Sequence, residues 1–281
     1  MHVFTTVSEL QGYLQAARFN NQSVGLVATM GALHRGHISL IEAALSENEV
    51  VVCSIFVNPT QFNNPEDLVK YPRSEQEDLA LLRKAGCQVA FVPLVSEMYP
   101  TPSILQMDFG PIAQVMEGKS RPGHFNGVGV VVSKLLHMIM PDRAYFGQKD
   151  LQQVAIVEQL IRDLSFSAQL VVCPTLREES GLAMSSRNKR LSDEELKLAA
   201  LIYQKLAEAK NQLLSGISIP QVIASIEAYF NQIPEFRLDY FEIVDRETLQ
   251  RVEGLAEGQS VALCIAIYLG DVRLIDNLVI D

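Results

Sequence analysis

Apolar and polar positions alternate in blocks along the first 173 residues. Short apolar runs at 24–29, 50–57, 88–92, 143–146 and 169–173 read as strands. Between them, at 36–47, 74–85, about 124–140 and 151–163, apolar residues recur at helical spacing. The run Val50-Val-Val-Cys-Ser-Ile-Phe-Val57 is apolar on both faces apart from Ser54, as a parallel strand covered on both sides must be. This alternation predicts an α/β fold with a Rossmann-like, doubly wound parallel sheet. Ligands of such sheets lie beyond the C-terminal strand ends. The chemically unusual residues collect there: 29–37, Asn58-Pro-Thr-Gln61 and Gly147-Gln-Lys-Asp150 each follow a predicted strand.

After Pro174 the pattern changes. Residues 192–214 and 219–231 read as helices, the first opened by Ser192 as N-cap with Glu195 at the capping-box position. Runs at 236–244, 261–269 and 273–280 then read as strands of a smaller C-terminal α+β domain. The boundary falls within 174–185, at the polar stretch Arg177-Glu-Glu-Ser-Gly181. The expected units are 1–175, binding the substrates, and 176–281, acting as a lid.

Composition narrows the function classes. With 48% hydrophobic and 20% charged residues over 281 positions, the chain can bury a sizeable core and is not disordered. A net charge of −10 argues against nucleic acid as a partner, so any anionic ligand needs a local basic pocket. Cys53, Cys87, Cys173 and Cys264 are scattered, without a CxxC pair, and read as reduced core residues of a cytoplasmic protein. The first residues carry neither a basic nor an apolar leader region, so secretion is not expected. No apolar run approaches 18 residues, so no membrane partner is expected either.

The most informative stretch is Ala28-Thr-Met-Gly-Ala-Leu-His-Arg-Gly-His37, between a predicted strand and the helix beginning near Ile38. A helix N-terminus offers unpaired N–H groups and partial positive charge to an anion. Gly31 and Gly36 let the backbone approach a phosphate. His34 and His37 share one face of a first helical turn and can donate to charge developing on a phosphate. The same pair also reads as two solvated histidines or as half of a metal site, though no further ligand cluster lies nearby.

Two other clusters follow. Asp150 can cap the helix starting near Leu151, Lys149 at a strand end suits a phosphate as a point charge, and Gln153 lies one turn on. In Leu182-Ala-Met-Ser-Ser-Arg-Asn188, two hydroxyls and a guanidinium at the domain junction can close over a triphosphate. Read alone, Ser-Ser-Arg favours a polar loop with a solvated arginine; its place at the domain junction weighs against that.

These segments, taken together, resemble the pantoate–β-alanine ligase family over essentially the whole chain. Those carrying the resemblance are Thr29–His37, Ser54–Phe62, Pro65–Arg73 and Ser120–Gly127. Phe146–Asp150, Ala183–Asn188 and Leu269–Asn277 complete the set, in order. The resemblance implies ATP-dependent joining of (R)-pantoate to β-alanine through a pantoyl-adenylate, with Mg²⁺ accompanying ATP and a homodimeric assembly. It makes His37, His34 and Lys149 the catalytic candidates. It assigns ATP to Met30, Gly31, Ala32, Leu33, His34, Arg35, Gly36 and His37. Gly147, Gln148, Lys149, Asp150, Leu176, Met184, Ser185, Ser186 and Arg187 complete the nucleotide site. Pantoate falls to the neutral amides of Gln61 and Gln153, with Arg121 supporting the pocket. The acidic pair Glu77-Asp78 stands near the family's metal position, or on a solvated helix face. One departure is Ala28, where the family often has proline; it removes a φ restriction but no functional group. The closest alternative chemistry is adenylyl transfer to a phosphorylated acceptor, which would call for extra basic groups where Gln61 and Gln153 stand. A binding module without activity is the other, and it fits poorly with both histidines, Lys149 and Arg187 all present.

Overall fold

A computed structural model of the chain describes residues 1–62 and 65–281, without the side chains of Pro65, Asp67 and Lys70. The N-terminal part begins with β1 (His2–Phe4), α1 (Val7–Phe19), β2 (Val24–Thr29), α2 (Arg35–Glu47) and β3 (Val50–Ile55). It continues with α3 (Pro65–Lys70), α4 (Glu75–Ala85), β4 (Val89–Phe91), α5 (Val95–Met98) and α6 (Met116–Ser120). Then follow α7 (His124–Ile139), β5 (Arg143–Gly147), α8 (Leu151–Asp163) and β6 (Gln169–Cys173). The C-terminal part comprises α9 (Asp193–Leu214), α10 (Ile219–Asn231), β7 (Phe236–Asp245), β8 (Val261–Leu269) and β9 (Val272–Ile280).

The first six strands form one parallel sheet in the order β1-β4-β3-β2-β5-β6. From β2 the chain moves outward through β3 and β4, whereas β5 pairs on the other side of β2. The switch point therefore lies between β2 and β5, where a doubly wound sheet opens its ligand crevice. Both faces are covered. One core packs Leu10, Leu26, Val52, Phe91, Leu136 and Ile156; the other packs Val27, Ile41, Val51, Leu82 and Tyr145. Successive strand residues serve opposite cores, which is why β2 and β3 carry no polar face.

The smaller unit is a three-stranded antiparallel sheet, β7-β8-β9, backed by α9 and α10. The predicted capping box is present: Glu195 N–H donates to Ser192 Oγ at 3.3 Å, and Ser192 N–H to the Glu195 carboxylate at 2.8 Å. A further apolar cluster of Met116, Leu151, Val244, Leu249, Ala262 and Cys264 joins the two sheets' flanks.

The structure differs from the sequence reading in a few places. β1 and α1 precede the first predicted strand; β1 is a three-residue edge strand, too short for a periodic signal. β3 ends at Ile55 rather than at 57, although Phe56 N–H still reaches Thr29 O at 3.1 Å. Asp150 stands at the N-cap of α8 but its side chain makes no capping bond there, because the chain enters the helix through a 3₁₀ turn at Gln148–Asp150.

Candidate active site

The turn after β2 is built around two consecutive left-handed residues, Gly31 at φ +79° and Ala32 at φ +50°. Alanine rarely adopts this conformation. Here a buried carboxylate holds it: Asp78 of α4 accepts the N–H of Ala32 at 2.9 Å and of Leu33 at 2.7 Å. A Cβ on Gly31 would lie 3.0 Å from Asp78 Oδ2 and 3.1 Å from Ile55, so glycine is what lets the carboxylate approach. Asp78 is 1% exposed and both its oxygens are engaged, so it is neither solvated nor an open metal ligand, whereas its neighbour Glu77 is exposed, as the solvated-face reading expects. The local signal for this role was its place on the α4 stripe that buries Leu82, four residues on.

From that anchored turn the chain enters α2 with His34 as N-cap. The His34 Nδ1 accepts Gly36 N–H at 3.1 Å, and the His37 Nδ1 accepts His34 N–H at 3.3 Å. Both imidazoles thus spend Nδ1 as an acceptor, which assigns the ring proton to Nε2. Burial, then the charges of Lys149 and Lys189, hold the His34 pKa down to about 4. Burial, then His34 and Lys149, hold His37 down to about 3. The pair is therefore two neutral Nε2–H donors, ring centroids 4.0 Å apart. A Cβ at Gly36 would sit 2.9 Å from the His34 ring, so this packing requires glycine.

Across the switch point, β5 ends in Gly147 and delivers Lys149 and Asp150, whose neighbour Gln153 is on the first turn of α8. A single cavity is lined by Met30, His34, Gly36, His37, Gln61, Gly147, Lys149, Asp150 and Gln153. Its far wall is Leu176, Met184, Ser185, Ser186 and Arg187. Asn58, which follows a strand end as the sequence reading noted, lines it too, and sequence reasoning missed Phe56, Tyr71 and Thr175, which also line it. Tyr71, on the segment between α3 and α4, shares the cavity lining with Ser186 of the far wall.

Five predicted nucleotide residues do not line the cavity. Gly31, Ala32 and Leu33 are buried in the anchored turn, where they shape the backbone. Arg35 points outward to Glu42 at 2.6 Å. Gln148 donates to Asn277 Oδ1 at 3.3 Å. Ala28 does line it, and removes no polar group.

The two glutamines are held differently. Gln61 is buried; its Oε1 accepts Asn58 Nδ2 at 3.1 Å and its Nε2 lies 2.7 Å from Met30 Sδ. The backbone of α7 presses against it at Gly127, where a Cβ would come within 2.4 Å of Thr60 O. Arg121 contributes through a relay rather than by facing the cavity. Its guanidinium donates to His124 Nε2 at 3.1 Å, so His124 Nδ1–H donates to Gln61 O at 2.9 Å. Burial and the Arg121 charge hold the His124 pKa down to about 4. Gln153 has no such partner in the described contacts, while its neighbour Gln152 is 4% exposed and bonded to Glu117 N–H, Ile112 O and Val115 O.

Among the described residues no group of three or more His, Cys, Asp or Glu is placed to hold a metal. Among those that line the cavity, Asp150 is the one carboxylate.

The family model for pantoate-beta-alanine ligase matches residues 2–279. The chain belongs to the pantoate-beta-alanine ligase family. It is 50% identical to the pantothenate synthetase of Cytophaga hutchinsonii, with 98% of each chain covered. Against that of Porphyromonas gingivalis the identity is 47%, with 99% of each covered. Among solved structures, the pantothenate synthetase of Thermus thermophilus superposes with a TM-score of 0.91 at 43% identity, covering 99% of each chain. The pantoate-beta-alanine ligase of Francisella tularensis, complexed with beta-gamma ATP and beta-alanine, gives 0.83 at 37% identity, covering 99% of this chain and 97% of that one. The family's Rossmann-like sheet and smaller C-terminal unit are those described above.

Proposed function

We propose that this protein joins pantoate to β-alanine at the expense of ATP, through a pantoyl-adenylate. The observation that carries the reading is the convergence, in one cavity at the β2/β5 switch point, of two neutral Nε2–H donors and Lys149. A pantoate carboxylate oxygen attacks the α-phosphorus, the bond to the bridging oxygen breaks, and pyrophosphate leaves with the electron pair. Charge grows on oxygens that His34, His37 and Lys149 can reach without any proton being lost. Arg187, with Ser185 and Ser186, faces the same space and suits the departing pyrophosphate. The neutral β-alanine amine then attacks the acyl carbon, the acyl C–O bond breaks, AMP leaves with that electron pair, and the nitrogen gives up one proton to water, leaving the amide.

Gln61 and Gln153 suit pantoate because amides bond hydroxyls and a carboxylate without clamping the reacting charge. A divalent cation carried by the triphosphate fits here, since Mg²⁺ keeps most of its ligands as phosphate and water oxygens and asks little of the protein. Asp150 would be its carboxylate partner, and the ion would offset phosphate charge. A cytoplasmic homodimer is part of the same reading; the family resemblance supports the dimer, and the four buried, unpaired cysteines suit a reducing compartment.

The test is AMP formation from ATP and pantoate, with and without β-alanine, together with exchange of labelled pyrophosphate into ATP. Exchange with pantoate alone is expected. Exchange that strictly requires β-alanine rules out the free adenylate.

A further inference from the structure

The resemblance singled out Leu269–Asn277, yet none of these residues lines the cavity. This segment includes most of β9, in the C-terminal sheet. There Asn277 is 2% exposed, and its side-chain amide turns away from its own sheet towards the 3₁₀ turn Gln148–Asp150. The two N–H bonds of one amide go to two successive carbonyls: Nδ2 lies 2.9 Å from Gln148 O and 2.9 Å from Lys149 O. Gln148 Nε2 returns a bond to Asn277 Oδ1 at 3.3 Å.

The geometry has a specific consequence. Gln148 O belongs to the peptide plane before the Lys149 Cα, and Lys149 O to the plane after it. A peptide unit is rigid, so fixing both planes fixes the two soft dihedrals at that Cα. The direction of the Lys149 Cα–Cβ bond follows from them. One neutral side chain, 128 residues away in sequence, thus aims the lysine.

Asn277 is itself held from three sides. Its N–H donates to Asp276 Oδ1 at 2.8 Å, its C=O accepts from Arg177 Nη2 at 3.3 Å, and β8 pairs Cys264 opposite it. Asp276, 4% exposed, takes a bidentate bond from Arg177 at 2.6 and 3.0 Å. The Arg177 guanidinium lies 3.9 Å over the Tyr203 ring of α9. Arg177 directly follows Leu176 of the cavity's far wall. Adjacent residues of β9 therefore grip both walls of the nucleotide cavity.

We propose that Asn277 is a positioning residue for Lys149, acting through the two peptide planes that flank it. The inference rests on the reading of Lys149 as the cation that holds the triphosphate. An Asn277→Ala variant keeps every group that touches substrate, but leaves the two carbonyls without these donors and frees the lysine to reorient.

The experiment is a double-mutant cycle in the full-length protein, read by pantoate-dependent ATP–pyrophosphate exchange: Asn277→Ala, Lys149→Ala and the pair. Asn277→Ala alone is expected to lower exchange turnover about tenfold or more, as misplacing a reacting partner does. In the Lys149→Ala background it is expected to change the rate less than twofold, because the residue it aims is gone. Fold-changes that multiply in the double variant, or a single variant within twofold of the parent, overturn the proposal. Should Asn277→Ala fail to fold, Asn277→Leu keeps the volume without the donors; if neither folds, Asn277 serves the fold alone and the positioning role is withdrawn. If Lys149→Ala by itself exchanges normally, the phosphate role of Lys149 is what fails, a result separate from loss of coupling.

Discussion

The backbone N–H of His34 donates to the ring of His37, 3.3 Å away. A helix start normally closes such a bond with a glutamate carboxylate. An imidazole does the same job while keeping a second nitrogen free, and that nitrogen carries a proton pointing where a phosphate would arrive. On the proposed reading, the cap and the catalytic donor are one side chain.

Replacing His37 by Ala removes both functions. Turnover is expected to fall about 10²–10³-fold, the usual loss for one preorganised donor. The N-terminal amides of α2 remain, so ATP binding should change far less. Steady-state kinetics with ATP titrated by calorimetry checks this; near-normal turnover excludes the role.

The neutral histidines set a direction for stability against pH. His34, His37 and His124 fall to about 4, 3 and 4 in the folded protein, against an ordinary 6.5. Below about 6.5 the unfolded chain takes up protons that the folded one refuses, so stability is full above that pH and declines as pH falls towards 4. Urea midpoints should hold between pH 7.5 and about 6.5 and decrease from there to pH 5, above the ordinary range of carboxylates. A flat profile there contradicts the burial of neutral rings. Activity should follow a different course: the donors stay neutral throughout, and the rate should rise towards alkaline pH as β-alanine loses its ammonium proton.

Asp78 anchors the left-handed turn. Asp78→Asn keeps the volume but offers one carbonyl oxygen and an NH₂ group, which faces an N–H donor. Losing a charged acceptor under two buried amides should destabilise the protein by about 2 kcal/mol. It should also reduce turnover, since His34 follows the turn directly. Chemical denaturation and kinetics on the same preparation test this; a variant unchanged in both leaves the turn self-supporting.

Much of this site can be read locally, and the rest depends on distant partners. The parallel strands show as apolar runs because both faces are covered, and His34, His37, Lys149 and Gln153 are legible because each follows a strand end or opens a helix. Asp78 carried only a faint mark, a charge on an apolar stripe, since its partners lie 45 and 46 residues earlier. Gln153 shows a local signal that suffices: its place one turn into α8 points it at the crevice, and it lines the cavity while its neighbour Gln152 is bonded to Glu117 N–H.

Gln61 and Gln153 should govern pantoate rather than ATP. Gln153→Ala is expected to weaken pantoate use and blunt discrimination against a deoxy analogue, because unpaired buried amides are what reject it. Gln61→Ala should do the same with an added loss of stability, since Asn58 then loses a partner. Separate titrations of ATP and pantoate decide the matter; collapse of ATP affinity with pantoate untouched reverses the assignment.

The Asn277 bond to Lys149 O means that one turn lining the cavity is held by a strand of the smaller, antiparallel sheet. The histidines stand at the end of β2, in the middle of the parallel sheet, and should persist as long as that sheet does. The lysine keeps its aim only while β9 is docked. Gentle loosening of the smaller sheet should therefore silence catalysis while the larger one is still intact. In a urea series, activity should disappear at a lower concentration than helical circular dichroism, and coincident midpoints would mean that the two units melt as one.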